Sequence, residues 1–184
     1  MQFAFPCGHP ALDFVGTLQA RREPAPVERF ETPADVDTWF VESGLADHAP
    51  GFGARDREHA IALREAIYLL VRERMNGRRL DDEACTELNR VASARPATLQ
   101  LGDDGVTIEA TPAQALSTLA RQAIELIAGP ETTKIKECGR PVCTQVYLDD
   151  SRGGRREWCS MDTCGSRMKA AAYRARKRAV AASA

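Results

Sequence analysis

Four of the six cysteines in this 184-residue chain fall in one cluster: Cys138 and Cys143 are separated by four residues, as are Cys159 and Cys164, with fifteen residues between the pairs. Four thiolates are the donor set of a tetrahedral zinc ion, which asks for little beyond four soft anionic ligands. Each pair is close enough for one local turn to present both sulfurs. No coordination position is left open, so such a site is structural rather than hydrolytic. One Zn2+ there would supply folding free energy to a segment with few large apolar residues: Val142, Val146, Tyr147, Leu148, Trp158, Met161, Met168 and Tyr173. A redox pair is the other chemistry of clustered cysteines, but this spacing is not the usual redox motif. Cys85 reads as a small buried hydrophobe, and Cys7 with His9 offers too few donors for a site.

The same segment is basic. Residues 138–178 hold ten Arg and Lys against four Asp and Glu, a net of +6, while the remainder carries −7, which the overall −1 conceals. Such asymmetry points to a polyanion. Arg167, Lys169, Arg174, Arg176, Lys177 and Arg178 fall on one expected helix, about Asp162–Ala181, with Arg167, Arg174 and Arg178 along one stripe. Ala170, Ala171 and Ala172 keep that helix slim, as entry into a groove requires. Arg152, Arg155 and Arg156 sit beside it in an expected hairpin. Guanidinium forks match phosphate oxygens and guanine edges. DNA is the favoured partner, and RNA is an alternative. The plainer alternatives are a solvated helix end, whose late cations also suit its dipole, and a module that docks a protein. A single finger is a small interface, so homodimerisation or help from the helical body is expected if it is to be specific.

A third set is polar and lies among apolar residues of the first half: Asp13, Thr17, Arg21 and Arg64. They could line a pocket for a small-molecule effector. The plainer alternative is that Arg64 pairs with Asp13 to close a packing interface. No Ser/His/Asp set or Gly-rich phosphate loop is present, and His9, His48 and His59 are scattered, so no enzyme is expected. No run of about 20 apolar residues exists to span a membrane. Pro6, His9 and Asp13 interrupt the apolar N-terminal stretch, which is read as mature sequence, so a cytoplasmic location is expected.

The elements that must position these groups are mainly helical. Ala11–Leu18 reads as a short helix and Arg21–Glu31 as a loop. Thr32-Pro33 and Thr111-Pro112 pair a hydroxyl cap with a proline at the first helical position. The first of these helices carries Trp39 and Phe40 and ends near Gly44; the second runs to Gly129-Pro130. Between them, Leu63, Ile67, Leu70 and Val71 recur at helical spacing over Ala54–Met75, and Asp81 caps a further helix with Leu88 and Val91 inside. Leu99, Leu101, Val106 and Ile108 alternate around Asp103-Asp104-Gly105, which predicts a β-hairpin. In the cysteine segment a second hairpin is expected, with Thr144–Leu148 going out, Asp149–Gly154 turning and Arg156–Trp158 returning. Asp162 or Thr163 would cap the final helix, with Cys164 in its first turn. A turn, a hairpin and a helix around one metal is the treble-clef plan. The expected architecture is a mainly α protein with a small β-hairpin: a helical domain over 1–130 and a treble-clef-like zinc finger over 131–184.

Several of these segments resemble a known family. Trp158-Cys159-Ser160-Met161, Cys164-Gly165-Ser166-Arg167, Lys169 and Arg174-Ala175-Arg176 resemble the CGNR zinc-finger proteins, as does Tyr147-Leu148-Asp149-Asp150-Ser151-Arg152 ahead of Arg155-Arg156. Ala11-Leu12-Asp13-Phe14-Val15 and the Trp39 region are similar to the ABATE domain that precedes this finger in that family. The resemblance implies a bacterial, stress-induced regulator of transcription. The chain departs from the pattern twice. Ser166 stands where the naming motif has Asn, and Gly16-Thr17 stands where the N-terminal motif reads Asn-Thr. Ser166 keeps a hydroxyl that can cap or bond a phosphate, whereas Gly16 removes a side-chain amide.

Overall fold

The computed structural model describes residues 2–103 and 105–182. Its first helix, α1 (Pro10–Val15), is shorter than expected and buries Ala11 through Val15. His9 caps it, its Nδ1 accepting from Ala11 N–H at 3.2 Å. Past Gly16 the chain extends, and β1 (Leu18–Gln19), which begins at the expected end of that helix, pairs antiparallel with β2 (Val27–Glu28), within the segment Arg21–Glu31 expected to be loop. This ladder carries Glu28 to Arg64.

The helices begin where their caps predict. At α2 (Pro33–Glu42) the Asp35 carboxylate accepts from Thr32 N–H at 2.7 Å and from its hydroxyl at 2.8 Å. At α4 (Asp82–Ala92) the Asp81 carboxylate accepts from Ala84 N–H at 2.9 Å. At α5 (Pro112–Ala128) Gln114 Oε1 accepts from Thr111 N–H at 2.9 Å. The longest helix, α3 (Ala54–Met75), is the spine of the body, packing on α1, α2, α4 and α5. Phe14, Phe30, Trp39 and Phe40 meet edge-on or tilted beside it, with the Phe14 and Trp39 centroids 4.9 Å apart. Strands β3 (Thr98–Gly102) and β4 (Gly105–Glu109) form the expected hairpin; Asp104 of its turn lies outside the described residues.

A 3-10 turn over Pro130–Lys134 leads into β5 (Ile135–Glu137), which pairs antiparallel with β6 (Val146–Leu148), Ile135 opposite Leu148. This corrects the expected second hairpin. The partner of β6 lies before Cys138, so the first cysteine pair is the turn between the two strands. The body decides this, because Ile135, Val146, Tyr147 and Leu148 are all buried in the one apolar core. Arg156–Trp158 returns beside β6 without forming a strand. A π-turn (Met161–Gly165) then runs into α6 (Ser166–Ala182). Its cap is Ser160, whose hydroxyl accepts from Asp162 N–H at 3.2 Å, rather than Asp162 or Thr163. Among the described residues no helix is long and apolar enough to cross a membrane.

Candidate metal centre and nucleic-acid interface

Cys138, Cys143, Cys159 and Cys164 bring their sulfurs within 4.8 Å of one another, a grouping that can hold a metal ion. Two backbone turns deliver them. In the first, Cys138 N–H donates to Gln145 O and Cys143 N–H to Arg140 O, both at 2.9 Å. In the second, Gly165 N–H donates to Ser160 O at 3.0 Å, and the Ser166 hydroxyl donates to Met161 O at 2.8 Å. Ser166 thus has an internal role in holding the π-turn. Trp158 lies between the turns and crowds the glycine on either side. An added Cβ would come within 3.2 Å of its ring at Gly139 and within 3.1 Å at Gly165, where Met161 Sδ would be only 2.3 Å away.

The sulfurs are crowded: Cys143 to Cys159 is 3.9 Å and Cys159 to Cys164 is 3.6 Å. Without a cation, four thiolates at such spacing repel. Protons are therefore shared unequally. Accepting a hydrogen bond from Cys159 brings Cys143 down to about 5. Cys159 is pushed up because it keeps the proton it donates, and burial raises Cys138. Cys159 N–H points at Cys138 Sγ at 3.5 Å, and Arg140 reaches Cys164 Sγ at 3.9 Å. Arg140 was not among the residues singled out in the sequence; its signal is a lone cation inside the first cysteine turn.

The basic residues divide into two kinds. Arg152, Arg155, Arg167, Lys169, Arg174, Arg176, Lys177 and Arg178 are exposed, and among the described residues none is in an ion pair. Helix α6 is about 25 Å long and packs chiefly on the π-turn from which it grows, with Met168 and Ala170 its half-buried residues. Arg156 is different and leaves the expected nucleic-acid set. Its guanidinium lies 4.5 Å from the Tyr147 ring centroid and donates to Trp158 O at 2.8 Å, Pro6 O at 2.7 Å and Cys159 O. It fastens the second cysteine turn to β6 and to the N-terminal segment.

Asp149 organises the loop before it. One carboxylate oxygen accepts from Ser151 N–H at 3.0 Å, and the other from Lys136 at 2.7 Å and Arg156 N–H at 3.1 Å. The Lys136 bond, aided by Ser151, holds its carboxyl well below the usual range. Gly153 and Gly154 complete the turn at φ +82° and +60°, which glycine adopts freely.

Of the four residues expected to line a pocket in the body, Asp13 and Thr17 do line a cleft and Arg21 and Arg64 do not. Arg64 is 1% exposed and forks onto Glu28 at 2.6 Å through both terminal nitrogens, with Glu65 at 2.9 Å and Thr17 Oγ1 at 3.2 Å. Its partner is therefore Glu28, not Asp13. Arg21 pairs with Glu65 and lies 4.1 Å from the Tyr68 ring centroid. Asp13 accepts from Cys7 N–H at 2.9 Å, and burial pushes it up to about 6.

The cleft, of about 440 Å³, opens between body and cysteine module. Arg29 lines it from one side, and Arg140, Gln145 and Arg167 line it from the other. Arg29 Nε is buried without a partner. Beside the cleft the module is fastened to the body: Leu148 N–H donates to Cys7 O at 2.8 Å, and Arg21 N–H to Thr144 Oγ1 at 3.2 Å. Glu137 pairs with both Arg22 and Arg72. A Cβ at Gly16 would meet the Gln145 carboxamide at 2.2–2.8 Å. The Gln145 carboxamide thus fills the space that a side chain at Gly16 would need, a packing with no local signal in the sequence.

Family models match most of the chain. Residues 8–130 match ABATE, described as "Putative stress-induced transcription regulator". Residues 134–177 match the CGNR zinc finger. A search of curated proteins returned no match. The first model alone spans more than half of the sequence, and the four-cysteine cluster lies within the second. The chain therefore belongs to the ABATE family and carries a CGNR zinc finger behind that domain.

Proposed function

We propose that this protein is a transcription regulator that binds DNA through a zinc-folded module, residues 131–184, mounted on a helical body, residues 1–130. The observation that carries the proposal is α6: six cations, no acidic residue, no ion pair among the described residues, and exposure of nearly every residue whose burial is described. A helix of that kind has no intramolecular use for its charge. The metal proposed for Cys138, Cys143, Cys159 and Cys164 is zinc. Four sulfurs at about 2.3 Å from one ion stand about 3.8 Å apart, and the separations of 3.9 and 3.6 Å match that spacing. The ion's contribution is to fix the π-turn, and with it the direction in which α6 leaves the finger.

Arg167, Arg174 and Arg178 form the stripe that faces the phosphates, with Lys169, Arg176, Lys177, Arg152 and Arg155 flanking it. Most of these contacts set register and orientation rather than sequence. Engagement of six phosphates gives a log–log salt slope of about −5. Fluorescence anisotropy with random duplex DNA over a salt series tests this. The triple variant Arg167→Ala, Arg174→Ala, Arg178→Ala should flatten the slope by about 3 without changing the unfolding temperature. An unchanged slope, or tighter binding of RNA of matched length, would count against the DNA reading.

A second reading rests on the cleft: a small effector held between body and finger, with Asp13 and Thr17 on its wall. The unpartnered Arg29 Nε favours it, as does a volume within the usual ligand range. A metabolite library screened by thermal shift should contain a compound that stabilises the wild type and not Arg29→Ala. Equal response of the two proteins rejects the cleft as the site.

A further inference from the structure

The β3–β4 hairpin carries the two most exposed large apolar side chains among the described residues. Leu99 is 69% exposed, Leu101 87% and Val106 59%. The register places Leu99 opposite Ile108 and Leu101 opposite Val106, so these four side chains share one face. An isolated two-stranded ribbon is marginal in water, and an exposed apolar edge is a template for further pairing.

The two edges of the ribbon differ. On the β4 side, Asp47 N–H donates to Ile108 O at 3.0 Å and its carboxylate accepts from Ile108 N–H at 2.5 Å, so that edge is taken at Ile108. Those bonds also fix the phase: Ile108 turns its backbone away from β3. Its antiparallel partner Leu99, and Leu101 two residues on, therefore turn theirs away from β4. On this β3 edge Ala97 N–H is held by Thr118 Oγ1 at 2.8 Å, which leaves Leu99 and Leu101 open.

We propose that this edge is the interface with a second copy of the chain, β3 pairing antiparallel with the other β3 across a two-fold axis at Gln100. This register uses both open residues of each strand. Leu99 faces Leu101 of the other copy, the two exchange N–H···O bonds, and their side chains lie on the same face. Charge complementarity agrees: Asp103 of one copy comes opposite Ala97 of the other, two residues from Arg95, and neither has an ion pair among the described residues. An isologous contact of this kind closes as a dimer. The contact is a single strand edge, short of what a tight specific interface buries, so the free protein dimerises only at high concentration. The proposal stands apart from the DNA reading and is tested without nucleic acid.

Sedimentation equilibrium of the metal-loaded protein up to about 1 mM should show a monomer–dimer equilibrium. Leu101→Lys, on a fully solvated position, should keep the wild-type circular dichroism and weaken association at least tenfold. Register is read by single cysteines. Gln100→Cys places two thiols across the axis within disulfide reach and should cross-link under mild oxidation. Thr98→Cys, carrying the same native cysteines, faces Gly102 of the other copy and should not. Wild type that stays monomeric, a dimer indifferent to Leu101→Lys, or cross-linking of Thr98→Cys equal to that of Gln100→Cys overturns the proposal.

Discussion

The body buries and pairs its central guanidinium, whereas the finger displays most of its cations. In the body, Arg64 is enclosed by Glu28, Glu65 and Thr17, and Arg21, Arg72, Arg79 and Arg90 each have a carboxylate partner. In the finger, only Lys134 and Lys136 are so paired, and the cations of α6 have no such partner among the described residues. The two also differ in what holds them together. The body has an aromatic cluster and four helices on a common spine; the finger has a three-residue ladder, one tryptophan between two turns, and four sulfurs. The body thus encloses its buried guanidinium in carboxylates, whereas the finger leaves the cations of an exposed helix without them.

The largest expected effect separates these two modes of folding. Cys159→Ser removes the sulfur central to the cluster. Since structural zinc contributes on the order of 10 kcal/mol to such modules, the finger and α6 should unfold. Far-UV circular dichroism should lose the signal of α6, while the body keeps a cooperative transition at a lower temperature, because Val146, Tyr147 and Leu148 belong to its core. Next, Trp39→Ala should cost about 3–5 kcal/mol in denaturant unfolding with metal stoichiometry unchanged. If it also empties the metal site, the regions are not separable in the way drawn here.

A smaller effect tests the seam between them by pH. Burial raises Asp13 to about 6, so the fold favours its neutral form. The stability this contributes is full below the ordinary carboxylate range and is lost as pH rises through about 6. Asp13→Asn should therefore gain on the order of 2 kcal/mol relative to wild type between pH 4 and pH 7, read from urea midpoints. The smallest effect concerns Gly16, whose added methyl would meet only the flexible end of Gln145. Gly16→Ala should cost about 1 kcal/mol, and Gln145→Ser should recover most of it. Additive effects in that double-mutant cycle would mean that the two positions are not in contact.

Much of this was legible in the sequence wherever the signal was local. The helix starts at Thr32-Pro33, Asp81 and Thr111-Pro112 are side-chain caps, and the cysteine spacing is a donor set. What was not legible depended on distant partners. Arg64 and Glu28 are far apart in sequence, and nothing near either residue marks the pairing. A local hairpin would put the strand opposite β6 downstream, but burial of Ile135 against the body places it upstream. Arg156 has the same side chain as Arg155, and only Tyr147 and the carbonyls around it distinguish an internal clasp from an exposed cation.

The central claim is that one ion holds the turn from which a cationic helix reaches DNA. Stepwise chelation, with ion content, thermal unfolding of the body and duplex-DNA affinity followed in the same samples, tests it most directly. The expected result is that DNA affinity falls in proportion to ion lost while the body's transition persists. DNA binding that survives complete removal of the metal would contradict the account.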